Sequence, residues 1–286
     1  MIDSLRAFAD YAWTTLADAV LVLAVPAAVF VALALILKRR EAWHAARRAA
    51  HEVRLNLAFY FLDALFVLPA LGLVTVSIGT LMRDAGLVLQ PAHLWLAIGE
   101  YPTLFMAVFL GDFIGYWRHR LEHTRWLWPT HAIHHSDEEM TWLTLDRFHP
   151  INRITTTIID SAFLMAVGLP AWAVIANSLV RHYYGYFIHA DLPWTYGALG
   201  KVLVSPAMHR WHHAKDYKYA GTNFATVFSI FDRVFGTFAL PGPCDVPLGI
   251  EQHIGKTVPG QLAHPLKVWF GPLFRKQPGR GPKTAP

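Results

Sequence analysis

The order of apolar and polar positions divides the chain into long uncharged runs and short polar links. Residues 19–37, AVLVLAVPAAVFVALALIL, carry no charge. Nineteen residues at ~1.5 Å each rise about 28 Å, close to the ~30 Å hydrocarbon core of a bilayer. Lys38, Arg39 and Arg40 follow directly, and no small-residue cleavage site ends the run. It therefore reads as a retained span rather than a signal peptide. A second apolar run covers 55–82 and a third 93–117. Two shorter runs, 154–168 and 171–188, are divided by Gly168-Leu169-Pro170 and predict a tilted pair of spans or a re-entrant hairpin. The pattern predicts an all-α, multi-pass helical membrane protein with about three to five membrane segments.

Charge sets an orientation on these runs. The link 38–54 holds Lys38, Arg39, Arg40, Arg47, Arg48 and Arg54, whereas the link between the second and third runs offers only Arg83 and Asp84. That asymmetry places 38–54 in the cytoplasm and the N-terminus outside. Counting onward, the chain returns to the cytoplasmic side near Arg118 and again near His189. Hydrophobic residues make up 54% of the chain and charged residues 16%, well under the ~25% charge of a typical soluble domain. The basic residues sit beside apolar spans, where anionic lipid headgroups suit them better than nucleic acid. No nucleic-acid motif is present. A single cysteine, Cys244, leaves neither an intrachain disulfide nor a Cys-rich metal site. The chain divides into an N-terminal span and basic loop (1–54), a central domain (55–240) and a Pro/Gly-rich segment (241–286). The last residues, RKQPGRGPKTAP, read as a disordered tail.

The candidate chemistry is histidine. THAIHHSDE carries His131, His134 and His135, and MHRWHHAKDY repeats the H-x-x-H-H spacing with His209, His212 and His213; RHRLEHT adds His119 and His123. Positions three and four apart share a helix face. Each cluster can therefore turn its imidazoles into one volume, and the topology puts every cluster on one side of the bilayer. Packing eight imidazoles together without a metal would bury nitrogens that lack partners. His189, at the end of the last apolar run, is a further ligand candidate. The count exceeds the four to six ligands of one ion and fits two. His149 and His182 are possible ligands or neighbouring polar groups; Asp112, Asp137, Glu138 and Asp216 are candidate carboxylates for the second ring nitrogen of a ligand histidine, Asp112 first among them. Trp117, Trp126, Trp128 and Trp142 flank the clusters, most of them as interface anchors, with lining of a lipid passage as the other role open to them. Arg118, Arg120, Arg125 and Arg210 form a candidate docking face for an acidic electron donor. Two other readings stay open: a zinc-dependent membrane hydrolase or isomerase, and a non-catalytic metal carrier.

With these residues in hand, the chain resembles the fatty acid hydroxylase/sterol desaturase superfamily, especially its compact bacterial-type members. Residues 111–150 resemble its first two histidine boxes, FIHADLP (187–193) its intervening histidine, and 205–238 its third box and the segment beyond. The resemblance implies a helical membrane domain with a cytoplasmic helical cap and a bacterial-type inner-membrane location. It implies a non-haem centre of two iron ions that uses O2 as co-substrate against a lipid C–H bond, hydroxylating or desaturating it. Carried over, the metal ligands are His119, His123, His131, His134, His135, His189, His209, His212 and His213. Some relatives have another histidine where this chain has Gly185. Beyond the third box, Asn223 keeps a polar role, while Phe224 stands where relatives often have tyrosine. No haem or flavin segment is visible, so a separate donor, a ferredoxin or a cytochrome b5-like protein, is implied.

Overall fold

The structure, a computed structural model, describes residues 2–89, 92–219 and 221–274. The tail expected to be disordered, from Arg275 onward, lies outside them. Among the described residues the regular structure is all helical, with one isolated antiparallel bridge between Ala214 and Leu248. The helices are α1 (Ile2–Lys38), α2 (Glu41–Leu62), α3 (Leu68–Asp84), α4 (Ala92–Ala97), α5 (Glu100–Glu122), α6 (Trp128–His135), α7 (Pro150–Ala166), α8 (Ala171–His189), α9 (Pro206–His212), α10 (Ile230–Val234), α11 (Val258–Leu262) and α12 (His264–Phe274).

Among the described residues two stretches are long and apolar enough to cross a membrane: Phe8–Lys38 in α1, and Glu41–Asp84, which runs through α2 and α3 without a break. The latter stays continuous because a π-helical turn, Asp63–Val67, joins α2 to α3. Leu21, Val25, Ile36, Leu73 and Val76 are all exposed on these helices, an apolar surface that water would not tolerate at this extent. The helix α1 starts well before the uncharged run at 19. Asp10 and Asp18 lie on its turns without ending it, since charge limits the membrane-embedded part and not the hydrogen-bonded ladder. Tyr60 donates to the carbonyl of Ala19 and Tyr11 to that of Leu65, lashing α1 to α2 and the π turn.

The third apolar run is not one helix. It breaks at Gly99, whose φ of 89° favours glycine, and Thr103 at the start of α5 donates to the carbonyl of Trp95 in α4. The pair α7 and α8 turns at Gly168-Leu169-Pro170 as the sequence suggests, with Gly168 at φ 72°. The helices α5, α7 and α8 pack together, and the short α6 and α9 close over one end of them. The same end receives the C-terminus of α1: Lys38 pairs with Asp191, which also binds Arg210 on α9 at 3.2 Å. It receives the middle of α2 as well. There Asn56 donates to Asp137 at 3.0 Å, and the fully buried Arg147 reaches Glu52 and Asn56.

Candidate metal centre

The nine histidines drawn from the boxes form two groups in space. His119, His123, His131, His135 and His212 make one; His134, His189, His209 and His213 make the other. Each group draws on several segments, and the two H-x-x-H-H boxes are shared between them. His131 and His135 lie four apart on α6 and face the first group. His134 is turned about 100° from its neighbour His135, one residue's rotation on a helix, and faces the second. On α9 the division is reversed: His212 joins the first group, and His209 with His213 the second. The adjacent pair in each box is what lets one short helix serve two centres, a refinement of the single shared volume expected from spacing.

The ring nitrogens are assigned by their partners. His119 Nδ1 lies 2.8 Å from the carbonyl of Phe224, His212 Nδ1 2.6 Å from that of Thr222, His134 Nδ1 3.1 Å from that of Thr144 and His189 Nδ1 2.7 Å from that of Gly185. A carbonyl only accepts, so each Nδ1 carries the proton and each Nε2 presents a lone pair. Yet His212 Nε2 is 3.0 Å from His119 Nε2, and His189 Nε2 is 3.1 Å from His134 Nε2. Facing lone pairs at that distance repel unless a cation lies between them. The other close Nε2 pairs fall between 3.0 and 3.2 Å. Nitrogens ~2.1 Å from one ion are about 3.0 Å apart at a right angle and about 3.4 Å apart at a tetrahedral one. The observed spacing is that of nitrogens gathered around a common ion. His213, 1% exposed, has no hydrogen-bond partner on either ring nitrogen. These features fit two metal ions held by imidazole.

Burial holds the rings in the neutral form that binds metal. It pushes His131, His189 and His212 down to about 3. His119, His134, His135, His209 and His213 lie well below the usual histidine value, first through burial and then through the neighbouring imidazoles.

The groups that orient the rings are mostly ones that sequence reasoning missed. His131 Nδ1 meets the side-chain oxygen of Asn152 at 3.0 Å, and Asn152 in turn donates to Glu122 at 2.6 Å. Thr144, whose carbonyl takes His134, is fixed by donating to Asp137 at 2.7 Å. The carbonyls of Thr222 and Phe224 lie on a loop held from three directions. Asp232 accepts from the backbone N–H groups of Phe224 and Ala225. Asn223, at φ 58°, binds the carbonyls of Met208 and Ala239. Asp112 accepts from the N–H groups of Thr226, Val227 and Phe228. Carbonyl partners leave no trace in side-chain identity; the acidic Asp232 and the amide Asn152 do, but nothing in their spacing connects them to a histidine.

Several sequence candidates lie elsewhere. Asp112 is fully buried but serves the 226–228 loop and touches no histidine, because the α5 face it occupies points at that loop. Asp216 is exposed and caps the turn at Lys218. His149 caps α7 by accepting from Ile151 and donates to the carbonyl of Leu262. His182 packs edge-on to Tyr186, away from both groups. Gly185 contributes only its carbonyl, and a Cβ there would press on Leu145 at 3.0 Å. The arginine face does not exist as a unit. Arg118 is paired internally with Glu122 and Asp160, Arg210 with Asp191, and Arg120 stacks on Trp117. The tryptophans do not line the cavity that reaches the histidines. Trp142 stacks on Phe30, Trp117 packs on Phe235, and Trp128 covers His123 and His135. That cavity, of about 550 Å³, is lined by histidines of both groups at one end and by α3, α7 and α8 toward the other.

An all-helical scaffold with long apolar helices and two adjoining groups of histidines beside a cavity is the arrangement of a membrane-associated, metal-binding protein. Residues 104–237 match the family model for fatty acid hydroxylase. Ornithine lipid hydroxylase OlsE of Rhizobium tropici is 30% identical over 204 residues, covering 68% of this chain and 61% of that protein. Human alkylglycerol monooxygenase is 30% identical over 177 residues, 61% of this chain and 38% of that protein. Methylsterol monooxygenase 2-2 of Arabidopsis thaliana is 29% identical over 133 residues, 44% of this chain and 48% of that protein. The chain thus spans between about two fifths and three fifths of the length of these relatives. No solved structure matches it. The chain belongs to the fatty acid hydroxylase/sterol desaturase superfamily.

Proposed function

We propose that the protein is a membrane-bound, non-haem di-iron oxidoreductase that hydroxylates a C–H bond of a lipid. The observation that carries this reading is the division of nine imidazoles into two adjoining groups beside a largely apolar cavity. The names of the relatives, hydroxylase and monooxygenase, favour an oxidative centre over zinc hydrolysis, and hydroxylation over desaturation. Two irons supply the power to activate O2. The balance is RH plus O2, two electrons and two protons to ROH and H2O, the electrons coming from a separate ferredoxin or cytochrome b5-like donor.

The chain's own residues do the rest. The carbonyls of Thr222, Phe224, Thr144 and Gly185 and the amide of Asn152 fix the ring planes. Phe224, Phe148 and Trp128 pack on the histidines and keep water from their edges. The cavity between α3, α7 and α8 admits the lipid from the bilayer. The basic stretch 38–54 meets the histidine cap at the same end of the bundle, which together with the positive-inside rule supports a cytoplasmic cap and an N-terminus outside.

The test is metal analysis of purified protein joined to lipid analysis of cells with and without it under ¹⁸O2. About two irons per chain and one labelled oxygen in a lipid product are expected. One tight zinc with oxygen-independent turnover would overturn the reading.

A further inference from the structure

The segment beyond the third histidine box does not stay with the histidines. Phe224 packs on His119, near the end of α5. Asp112, which accepts from the N–H groups of Thr226, Val227 and Phe228, stands seven residues before His119 on α5, about 10 Å along the helix. Phe228 packs farther along still, against Phe105 and Phe109. The chain then turns through α10 and comes back: Phe231 meets Phe109 and Phe113, Phe235 meets Tyr116 and Trp117, and Thr237 pairs with the hydroxyl of Tyr116. Residues 224–237 thus form a hairpin laid along α5, with its tip directed away from the histidines. Residues 199–204 flank it. The N–H of Val204 donates to the carbonyl of Val227 at 2.9 Å, Ser229 to that of Gly200 at 2.9 Å and Arg233 to that of Lys201 at 3.2 Å.

The inner side of the hairpin is filled by these rings. Its outer side is bare. Leu199 is 64% exposed and Val234 68%, and Val202 and Ile230 are exposed beside them. Lys201 and Arg233 stand among them, both exposed. The other charged side chain in 195–204 and 226–238 is Asp232, which is fully buried. The outer side therefore carries apolar groups, two positive charges and no negative one. It is also continuous with the apolar bundle. The first turns of α5 expose Tyr101 and Phe105; α3, within the long apolar stretch, exposes Leu73, Val76 and Leu81. Such a patch is poorly suited to water. A second copy of the chain is a poor cover, because a two-fold contact through this patch would bring two pairs of cations together. Apolar side chains flanked by cations match the boundary of an anionic bilayer, where acyl chain and phosphate lie side by side.

We propose that segments 199–204 and 224–237 form a membrane-docking surface, in which Leu199, Val202, Ile230 and Val234 enter the acyl layer while Lys201 and Arg233 bind the phosphates of anionic lipids. The inference rests on the helical bundle lying in the bilayer and is independent of which metal the histidines hold.

The test is fluorescence quenching of a bimane label on the full-length protein in nanodiscs. The label is carried by Val234→Cys or Leu199→Cys, with Cys244→Ser removing the native thiol. The quenchers are phosphatidylglycerol and phosphatidylcholine with brominated acyl chains, and iodide in the water. Bromine should quench both labels, and iodide should not. Brominated phosphatidylglycerol should be favoured over brominated phosphatidylcholine by at least about fivefold, the effect of one basic side chain near an anionic surface. Lys201→Gln with Arg233→Gln should bring the two lipids to parity while bromine still quenches. A label on Glu251→Cys, an exposed position in the C-terminal segment, should behave in the opposite way, quenched by iodide and not by bromine. Quenching at 199 and 234 by iodide alone would overturn the proposal. So would quenching by neither agent, the result of a protein partner over the patch, and so would equal quenching by the two lipids before the basic residues are changed. The measurement needs no metal, O2 or electrons, so failure of the oxidative reading would leave its outcome intact.

Discussion

His119 and His212 stand 93 residues apart in the chain, yet their Nε2 atoms lie 3.0 Å apart, and each ring's Nδ1 donates to a main-chain carbonyl. Neither nitrogen can offer the other a proton. The contact stabilises the fold only when a cation sits between them, so metal and fold are linked. His212→Ala should lower the metal content from about two per chain toward one and remove O2-dependent product by more than about a hundredfold, since even loss of a ligand's outer partner costs ~10–100-fold. Elemental analysis and product quantification check this together.

Asn152 offers a gentler probe of the same group. It accepts from His131 and donates to Glu122, so Asn152→Leu frees the ring to turn without deleting a ligand. Metal affinity should fall by ~10–100-fold, read by chelator competition, while helical content is retained. Unchanged affinity would mean that packing alone orients His131.

The depressed histidines predict an acid limit. Their folded-state pKa values lie below 6.5, with His131, His189 and His212 at about 3. Below about pH 6.5 the unfolded chain takes up protons that the folded site refuses, so stability is full above that value and falls as pH drops toward 3. Metal loss follows the same direction, because protonation competes with ligation. Thermal unfolding of metal-free protein from pH 8 to pH 5 should show a falling midpoint below pH 6.5. A flat profile would contradict the burial of neutral rings.

Asp112 should prove to be a stability residue that acts on the site at a distance. Its carboxylate takes three backbone N–H groups, at 3.0, 3.0 and 2.7 Å, on the loop that presents Phe224 to His119. Asp112→Ala leaves those donors and Arg181 without their buried acceptor, a loss of roughly 3 kcal/mol or more. The unfolding midpoint should drop in both metal-loaded and metal-free protein. A drop confined to the loaded form would instead make Asp112 part of the metal site.

The histidine boxes were legible because metal ligation demands a residue type at a spacing, and both survive in one dimension. The apolar runs gave α1 and the long helix through α2 and α3, and Gly168-Leu169-Pro170 marked the turn between α7 and α8. The break at Gly99 was hidden because hydropathy averages over a single backbone angle. The supports of the rings were hidden for a different reason. Four of them are peptide carbonyls, which every residue possesses, and Asp112 and Asp232 act on a loop rather than on a ring. The arginines misled because a run of basic residues looks like a surface, whereas Arg118 and Arg210 had acidic partners 42 residues downstream and 19 upstream in the chain.

Those carbonyls bear on how such a protein can change. A side-chain partner can be lost by one nucleotide substitution, but the oxygens of Thr222, Phe224, Thr144 and Gly185 persist whatever is written at those positions, so long as the backbone keeps its path. The alignment of the rings is thereby insulated from drift in the residues around them. A change in the wall formed by α7 and α8 can therefore reshape the cavity without rebuilding the histidine groups at its end.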